Sequence, residues 1–269
     1  ETRPPREVFA RSGPVRLENS TPGILDGLAF FPMVRRSPEA GEVEIRVHAT
    51  GLNFRDVLNA LGMYPGDAVP LGVDCAGRIT AVGPGVEDLR LGDAVLGVAP
   101  GCFSTFVTTH SELVVKKPPE LSFEEAAAIP SVFLTAWYSL HRLAKISPGE
   151  RVLIHAAAGG VGLAAVQLAQ RAGANIFATV GTPEKAAFLK SLGVEHVMSS
   201  RSPDFAGEVM DLTSGEGVDI VLNSLAGEFI PKGLSLLRSN GRFLELGKRD
   251  IWDHGRVSDF RKDIRYFIV

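Results

Sequence analysis

Hydrophobic and polar positions change their period twice along the chain. Residues 1–12 carry Pro4, Pro5 and charges with little apolar pattern, and read as a linker. Val15 to Leu17 and Leu28 to Phe31 are short apolar runs around Pro22-Gly23, which predicts two strands and a turn. Glu42 to His48 alternates, with Val43, Ile45 and Val47 on one face, the pattern of a half-buried antiparallel strand. His48 falls on the other face and is assigned no role. Asn53 to Leu61 predicts a helix, Gly62 to Gly66 a loop, and Gly72 to Gly85 a strand, a glycine-rich turn and a strand. Asp93 to Val98, Phe103 to Thr108 and Leu113 to Lys116 continue as short strands with frequent Gly and Pro. This half is expected to be a small all-β barrel with one or two helices.

At Ser122 the texture changes. Ser122-Phe-Glu-Glu125 is a capping box that opens a helix, Pro130 breaks or kinks it, and helical spacing resumes from Thr135 to Ala144. From Arg151 apolar runs of strand length alternate with helical stretches, the mark of a parallel sheet. Strands are expected at Val152–His155, Asn175–Val180, His196–Met198, Val218–Leu222, Arg242–Leu246 and Ile264–Val269. Helices are expected at Val161–Ala172, Pro183–Leu192, Asp204–Leu212 and Phe229–Leu237. The division is linker 1–12, a barrel domain 13–124 and a doubly wound α/β domain 125–269.

The chemistry concentrates where the first of these strands meets its helix. Within Ala156 to Gly162, Ala157, Gly159 and Gly162 have the spacing of the dinucleotide fingerprint, with Ala in place of the first Gly. A tight turn needs a small residue, a pyrophosphate needs bare backbone at the second position, and the helix must pack close to its strand at the third. The free N–H groups of Gly160 and Val161 at the helix start then face the phosphate. An NAD site carries Asp or Glu at the end of the second strand for the ribose 2′-OH. Here Ala178 to Thr182 holds no acid, and Lys185 follows one turn later, so NADPH is expected over NADH. Lys185 is either a 2′-phosphate ligand or a solvated charge on the helix face. Asn223 and Leu225 follow the fourth strand and Gly247 and Lys248 the fifth, all at the sheet edge that lines such a cleft. Asn223 also suits the N-cap of the next helix.

Composition narrows the class. The chain has 269 residues, 45% hydrophobic and 22% charged, with a net charge of −3, so it carries no global basic field for nucleic acid or a membrane surface. Its two cysteines, Cys75 and Cys102, fit a reducing, cytoplasmic setting and exclude a disulfide framework. Cys75, Asp74 and His48 lack ligand-like spacing, so no metal site is expected. There is no secretory signal core, and Glu1 in place of an initiator Met suggests a piece of a longer chain.

Seven segments together resemble one family: Ala49 to Leu58, Leu61 to Gly66, Val132 to Ala136, Ile154 to Gly162, Ser199 to Arg201 with Asp204-Phe205, Val218 to Glu228, and Phe243 to Lys248. Residues 13–269 resemble the zinc-independent medium-chain reductases, more narrowly the enoyl reductase domains of modular polyketide synthases. The resemblance implies a GroES-like β-barrel substrate domain beside a Rossmann NADPH-binding domain. It implies hydride transfer from NADPH to the β-carbon of an α,β-unsaturated thioester on acyl carrier protein, with neighbouring synthase domains as further partners. It places the family's loop tyrosine at Tyr64, as proton donor or director of α-methyl configuration; a role in packing the loop is the alternative. Lys185 and Asp204 match the family's other proton donors, a role that competes with phosphate binding at Lys185. Asn53 and Thr135 match positions at the nicotinamide end, and Thr182 lies beside Lys185. The family commonly has Gly-Glu where this chain has Val73-Asp74, and runs past the sixth strand to complete the barrel, a segment expected to be missing here.

Three other readings stand beside enoyl reduction: a cyclopropane-forming variant acting on a γ-halogenated enoyl thioester, a free-standing quinone or enone reductase, and a non-catalytic NADPH-binding scaffold. An unpaired edge at the sixth strand leaves monomer and homodimer both open.

Overall fold

In a computed structural model, residues 13–21, 23–64 and 69–269 are described. The proposed linker, Pro22 of the first turn, and Pro65 and Gly66 of the Tyr64 loop lie outside them. The chain divides into two units, the first running to Ser131 and the second from Val132 to Val269.

In the first unit, β1 (Val15–Asn19) and β2 (Leu28–Pro32) form an antiparallel ribbon. The remaining strands are β3 (Glu42–Gly51), β4 (Asp74–Val82), β5 (Ala94–Val98), β6 (Phe106–His110) and β7 (Val114–Lys116). They make one antiparallel sheet in the order β6-β3-β4-β5-β7. Val43, Ile45, Cys75, Ile79, Val95 and Val107 form its core. Two expectations change here. The polar face of β3 is buried at its start, because Arg36 and Arg35 cover Glu42 and Glu44 with ion pairs. Residues 72–85 make one strand and not a hairpin. Gly77 sits in mid-strand because a Cβ there would run into the Arg46 carbonyl of β3; it serves close strand approach, not a turn.

Helix α1 (Phe54–Ala60) follows β3, and α2 (Phe123–Ala127) follows β7. The Ser122–Glu125 capping box forms, with Glu125 N donating to Ser122 Oγ at 3.1 Å and Ser122 N to Glu125 Oε2 at 2.8 Å. Ala126 and Ala127 pack with Ala76 and Leu96 of the antiparallel sheet. That packing puts the division between the units after Ser131, inside α3 (Pro130–Trp137), later than the change of texture at Ser122. The helix expected from Thr135 to Ala144 becomes a π turn over Tyr138–Leu143, where Ser139 Oγ donates to the Thr135 carbonyl at 2.7 Å.

The second unit is a parallel sheet in the order β10-β9-β8-β11-β12-β13. Its strands are β8 (Arg151–Ile154), β9 (Asn175–Val180), β10 (His196–Ser199), β11 (Val218–Asn223), β12 (Leu237–Glu245) and β13 (Arg265–Ile268). Its helices are α4 (Gly160–Arg171), α5 (Pro183–Ser191), α6 (Phe205–Leu212), α7 (Phe229–Ser235) and α8 (His254–Phe260). Alternate residues feed two cores. Val152, Ile154, Ala178, Ile220 and Leu222 pack on one face, and Leu153, Phe177, Val221 and Phe243 on the other. Burial on both faces explains the near-continuous apolar runs. Two differences stand out. β12 begins at Leu237, where the apolar period predicts a helix end, with Asn240 at φ 65° bending the strand. Helix α8 has no counterpart among the predicted elements; Asp253 caps it by accepting from Arg256 N at 2.8 Å, and Val257 buries into the second core.

Candidate functional site

Strand order reverses between β8 and β11, so the crevice at the carboxyl ends of these strands is where a dinucleotide binds in such a sheet. The β8–α4 turn is built for it. Ala156 takes a left-handed φ of 50°, and Ala157 N donates to the Thr179 carbonyl at 3.0 Å, fastening the turn to β9. Gly159 is the N-cap, donates to the Ala156 carbonyl at 2.8 Å and offers no capping side chain. Gly159 and Gly160 are exposed, and Val161 is half-buried. A Cβ on Gly162 would lie 2.5 Å from the Ala156 carbonyl oxygen and 2.6 Å from Ala157 Cα, so only glycine lets α4 start this close to its strand. The helix therefore presents uncapped first-turn N–H groups to solvent, a cradle that fits a pyrophosphate.

Beneath the turn lies a residue that the sequence pattern leaves unmarked. His155 is buried, its Nδ1 is 2.9 Å from Thr179 Oγ1, and its ring meets Phe205 edge-on at 4.9 Å. Nε2 has no hydrogen-bond partner among the described residues. Burial pushes this imidazole down to about 3, so it is neutral at ordinary pH.

The ends of β9 and β10 bring Thr182, Lys185, Arg201 and Asp204 to one region of the sheet edge. Thr182 caps α5, its Oγ1 accepting from Lys185 N at 3.4 Å, and the Lys185 side chain is exposed. Arg201, to which the sequence pattern alone assigns no role, donates from Nε to the Gly181 carbonyl at 2.9 Å and is exposed. The signal that could have found it is an arginine just past the strand neighbouring β9. Asp204 is exposed and accepts from Ser202 Oγ at 2.7 Å.

At the ends of β11 and β12, Asn223 is fully buried and turned inward. Its Nδ2 donates to both carboxylate oxygens of Glu245, at 3.0 and 2.8 Å, and to the Leu225 carbonyl at 2.8 Å. Its Oδ1 accepts from Leu225 N at 3.2 Å. The cap of α7 is Glu228, so Asn223 does not serve that helix. Gly247 N donates to Glu245 Oε1 at 2.7 Å, and Lys248 Nζ donates to the Val269 carbonyl at 2.8 Å.

Asn53 and Tyr64 belong to the first unit, Thr135 to the second. Asn53 Nδ2 donates to Asp74 Oδ2 at 3.0 Å, while Asp74 Oδ1 accepts from Ser131 N at 3.1 Å and Ser131 Oγ at 2.6 Å. Burial pushes the Asp74 carboxyl upward in spite of these donors. Tyr64 is half-buried, with the Arg55 guanidinium 5.5 Å from its ring centroid. Among the described residues, no three His, Cys, Asp or Glu side chains gather as a metal site. Cys102 Sγ donates to the Asp74 carbonyl at 3.2 Å. A hydrogen bond with Cys75 and burial push its thiol up, and His48 stacks on Phe123 at 4.4 Å. No helix among the described residues is long and apolar enough to cross a membrane.

Two family models match: the alcohol dehydrogenase GroES-like domain over residues 39–119 and the zinc-binding dehydrogenase over residues 160–264. A phenolphthiocerol/phthiocerol polyketide synthase polypeptide of Mycobacterium tuberculosis is 49% identical over 241 residues, 88% of this chain and 11% of that protein. The chain thus spans about a tenth of the length of such curated relatives. Among solved structures, the CurK enoyl reductase is 53% identical at a TM-score of 0.91, with 95% of this chain and 80% of that one covered. The CurF ER cyclopropanase from the curacin A pathway is 45% identical at a TM-score of 0.89, covering 95% and 81%. A mycobacterial protein complexed with NADPH is 30% identical at a TM-score of 0.85, covering 95% and 80%. A GroES-like antiparallel unit, a Rossmann sheet and this level of identity agree: the chain belongs to the polyketide synthase enoyl reductases of the medium-chain dehydrogenase/reductase superfamily.

Proposed function

We propose that the chain reduces α,β-unsaturated acyl thioesters carried on acyl carrier protein, with NADPH as reductant and without zinc, beside the other domains of a synthase. One observation carries the cofactor half: the uncapped Gly159–Gly162 helix start, with Arg201 bound to the Gly181 carbonyl on the neighbouring strand. The NADPH-bound neighbour supports it, and the likeness to CurK supports the substrate class.

When bound, NADPH supplies a hydride to the β-carbon. The chain's residues do the rest. First-turn N–H groups of α4 hold the pyrophosphate. Lys185 and Arg201, exposed at the ends of β9 and β10, hold the 2′-phosphate, since that edge receives the adenosine ribose. This placement favours phosphate binding by Lys185 over proton donation. Asn53 and Thr135 orient the nicotinamide carboxamide. As the hydride arrives, the alkene pair shifts into the bond between the α-carbon and the carbonyl carbon and the carbonyl pair moves onto the oxygen. Tyr64 then returns a proton to the α-carbon, restoring the C=O, while Asp204 shares the adenosine-ribose edge with Lys185 and is set apart from that role.

The likeness to the CurF cyclopropanase favours one further reading. With a leaving group on the γ-carbon, the α-carbon of the enolate attacks that carbon, the halide departs and a three-membered ring closes without protonation.

The test is consumption of NADPH against a crotonyl-type thioester, with the product weighed. Oxidation with a gain of two hydrogens is the expected result. Binding without oxidation points to the scaffold reading, unless a γ-halogenated thioester is turned over. No NADPH binding overturns the proposal.

A further inference from the structure

Glu245 is a carboxylate with no exposed surface and no basic partner within ion-pair distance among the described residues. Lys248, three residues on, turns its ammonium to the Val269 carbonyl. Burying such a group is costly, and an apolar residue of similar volume suits a strand end better. Its side chain instead bonds the last residue of β11 and the loop just past β12. Both oxygens accept from Asn223 Nδ2, whose own Oδ1 and Nδ2 close the turn at Leu225. Oε1 accepts from Gly247 N, and a Cβ on Gly247 would come within 2.6 Å of that oxygen. The backbones agree: Asn223 pairs with Glu245 in the β11–β12 register, and Leu246 N donates to the Asn223 carbonyl at 2.8 Å. One carboxylate thus clips the loop after β11 to the loop after β12.

The clip sits on one half of the crevice. The pyrophosphate cradle is at the end of β8, and the adenosine-ribose edge is at β9, on one side of it. The other mononucleotide half lies over β11 and β12. We propose that Glu245 is a positioning residue that acts through Asn223 and Gly247 to hold the backbone at Leu225 and Gly247 where the nicotinamide half of the cofactor is received. The proposal rests on the NADPH reading above.

The test compares two ligands on the whole chain: NADPH, and adenosine 2′,5′-bisphosphate, which carries only the adenosine half. In Glu245→Gln an amide N–H₂ replaces one acceptor, so a buried donor faces Asn223 Nδ2 or Gly247 N, donor against donor, and the clip loosens. NADPH binding should weaken about tenfold or more, with binding of the bisphosphate unchanged. Should Glu245→Gln fail to fold, Gly247→Ala carries the test, since its added methyl lies at the strand end outside the cores. The same selective loss is expected there. Unchanged NADPH binding in the folded variants overturns the proposal while leaving the cofactor reading intact. Equal loss for both ligands makes Glu245 a general scaffold residue and also overturns it. A wild-type chain that binds the bisphosphate but not NADPH, or binds neither, removes the cofactor reading and this proposal together.

Discussion

Two single side chains carry measurable consequences. Arg201 is exposed and anchored by its Nε to the Gly181 carbonyl, which leaves the rest of its guanidinium fork for an anion. Arg201→Gln keeps a polar side chain but removes the charge and the reach of the guanidinium. It should weaken NADPH binding about 10-fold or more and NADH binding little, because a hydrogen bond to a charged group is worth about 1.5–3 kcal/mol. Titration with both cofactors checks this. His155 offers a pH test. Its imidazole stays neutral in the fold down to about 3, against 6.5 in an unfolded chain. Below 6.5 the unfolded chain therefore binds the extra proton. The stability is complete above 6.5 and is lost as pH falls toward 3, at a slope of about 1.4 kcal/mol per pH unit. Urea melts at steps below pH 6.5 should show that slope, and His155→Phe should lose it.

At the scale of elements, short helices depend on their ends. Helix α2 has five residues, and its capping box satisfies donors that its length cannot. Ser122→Ala should destabilise the chain by about 1 kcal/mol, read as a lower urea midpoint with an unchanged slope. Helix α4 depends on its approach to β8. Gly162→Ala sets a methyl 2.5 Å from the Ala156 carbonyl oxygen, and the obstacle is backbone that cannot swing aside. The helix start must shift, so dinucleotide binding should be lost or reduced more than 10-fold, about 1.4 kcal/mol or more in calorimetric titration. Element boundaries were legible where caps and periods agreed, as at Ser122 and Asn175–Val180. They failed where glycine had two meanings. Gly77 looked like a turn residue and proved to be a close strand crossing, which depends on Arg46 far away in sequence.

At the scale of the molecule, two units have separate cores. The second holds the uncapped Gly159–Gly162 helix start and Arg201, and the first holds Asn53, Asp74 and Tyr64. Should Tyr64 be the proton donor, Tyr64→Phe should slow formation of the saturated product at least tenfold with NADPH binding unchanged, since general acid catalysis contributes about 10²-fold or more. Product mass and α-deuterium content in D₂O would measure it. Equal rates for Tyr64→Phe and wild type would overturn Tyr64 as the donor.

The alternation of strand and helix in the second unit, the two-part architecture and the glycine turn at the start of α4 were legible in the chain before it folded. They depend on local period, caps and the steric demands of glycine, all of which are written in neighbouring residues. Position after a strand likewise marked Asn223 and Gly247. What those residues do came from tertiary packing alone. Asn223 faces inward to Glu245, Arg201 reaches across to Gly181, and His155 is sealed under Phe205. Each of these is a contact between segments some 20 to 50 residues apart, set by strand order and register. Hydrogen bonding and desolvation act through space, so no local pattern announces which buried polar group will find a partner.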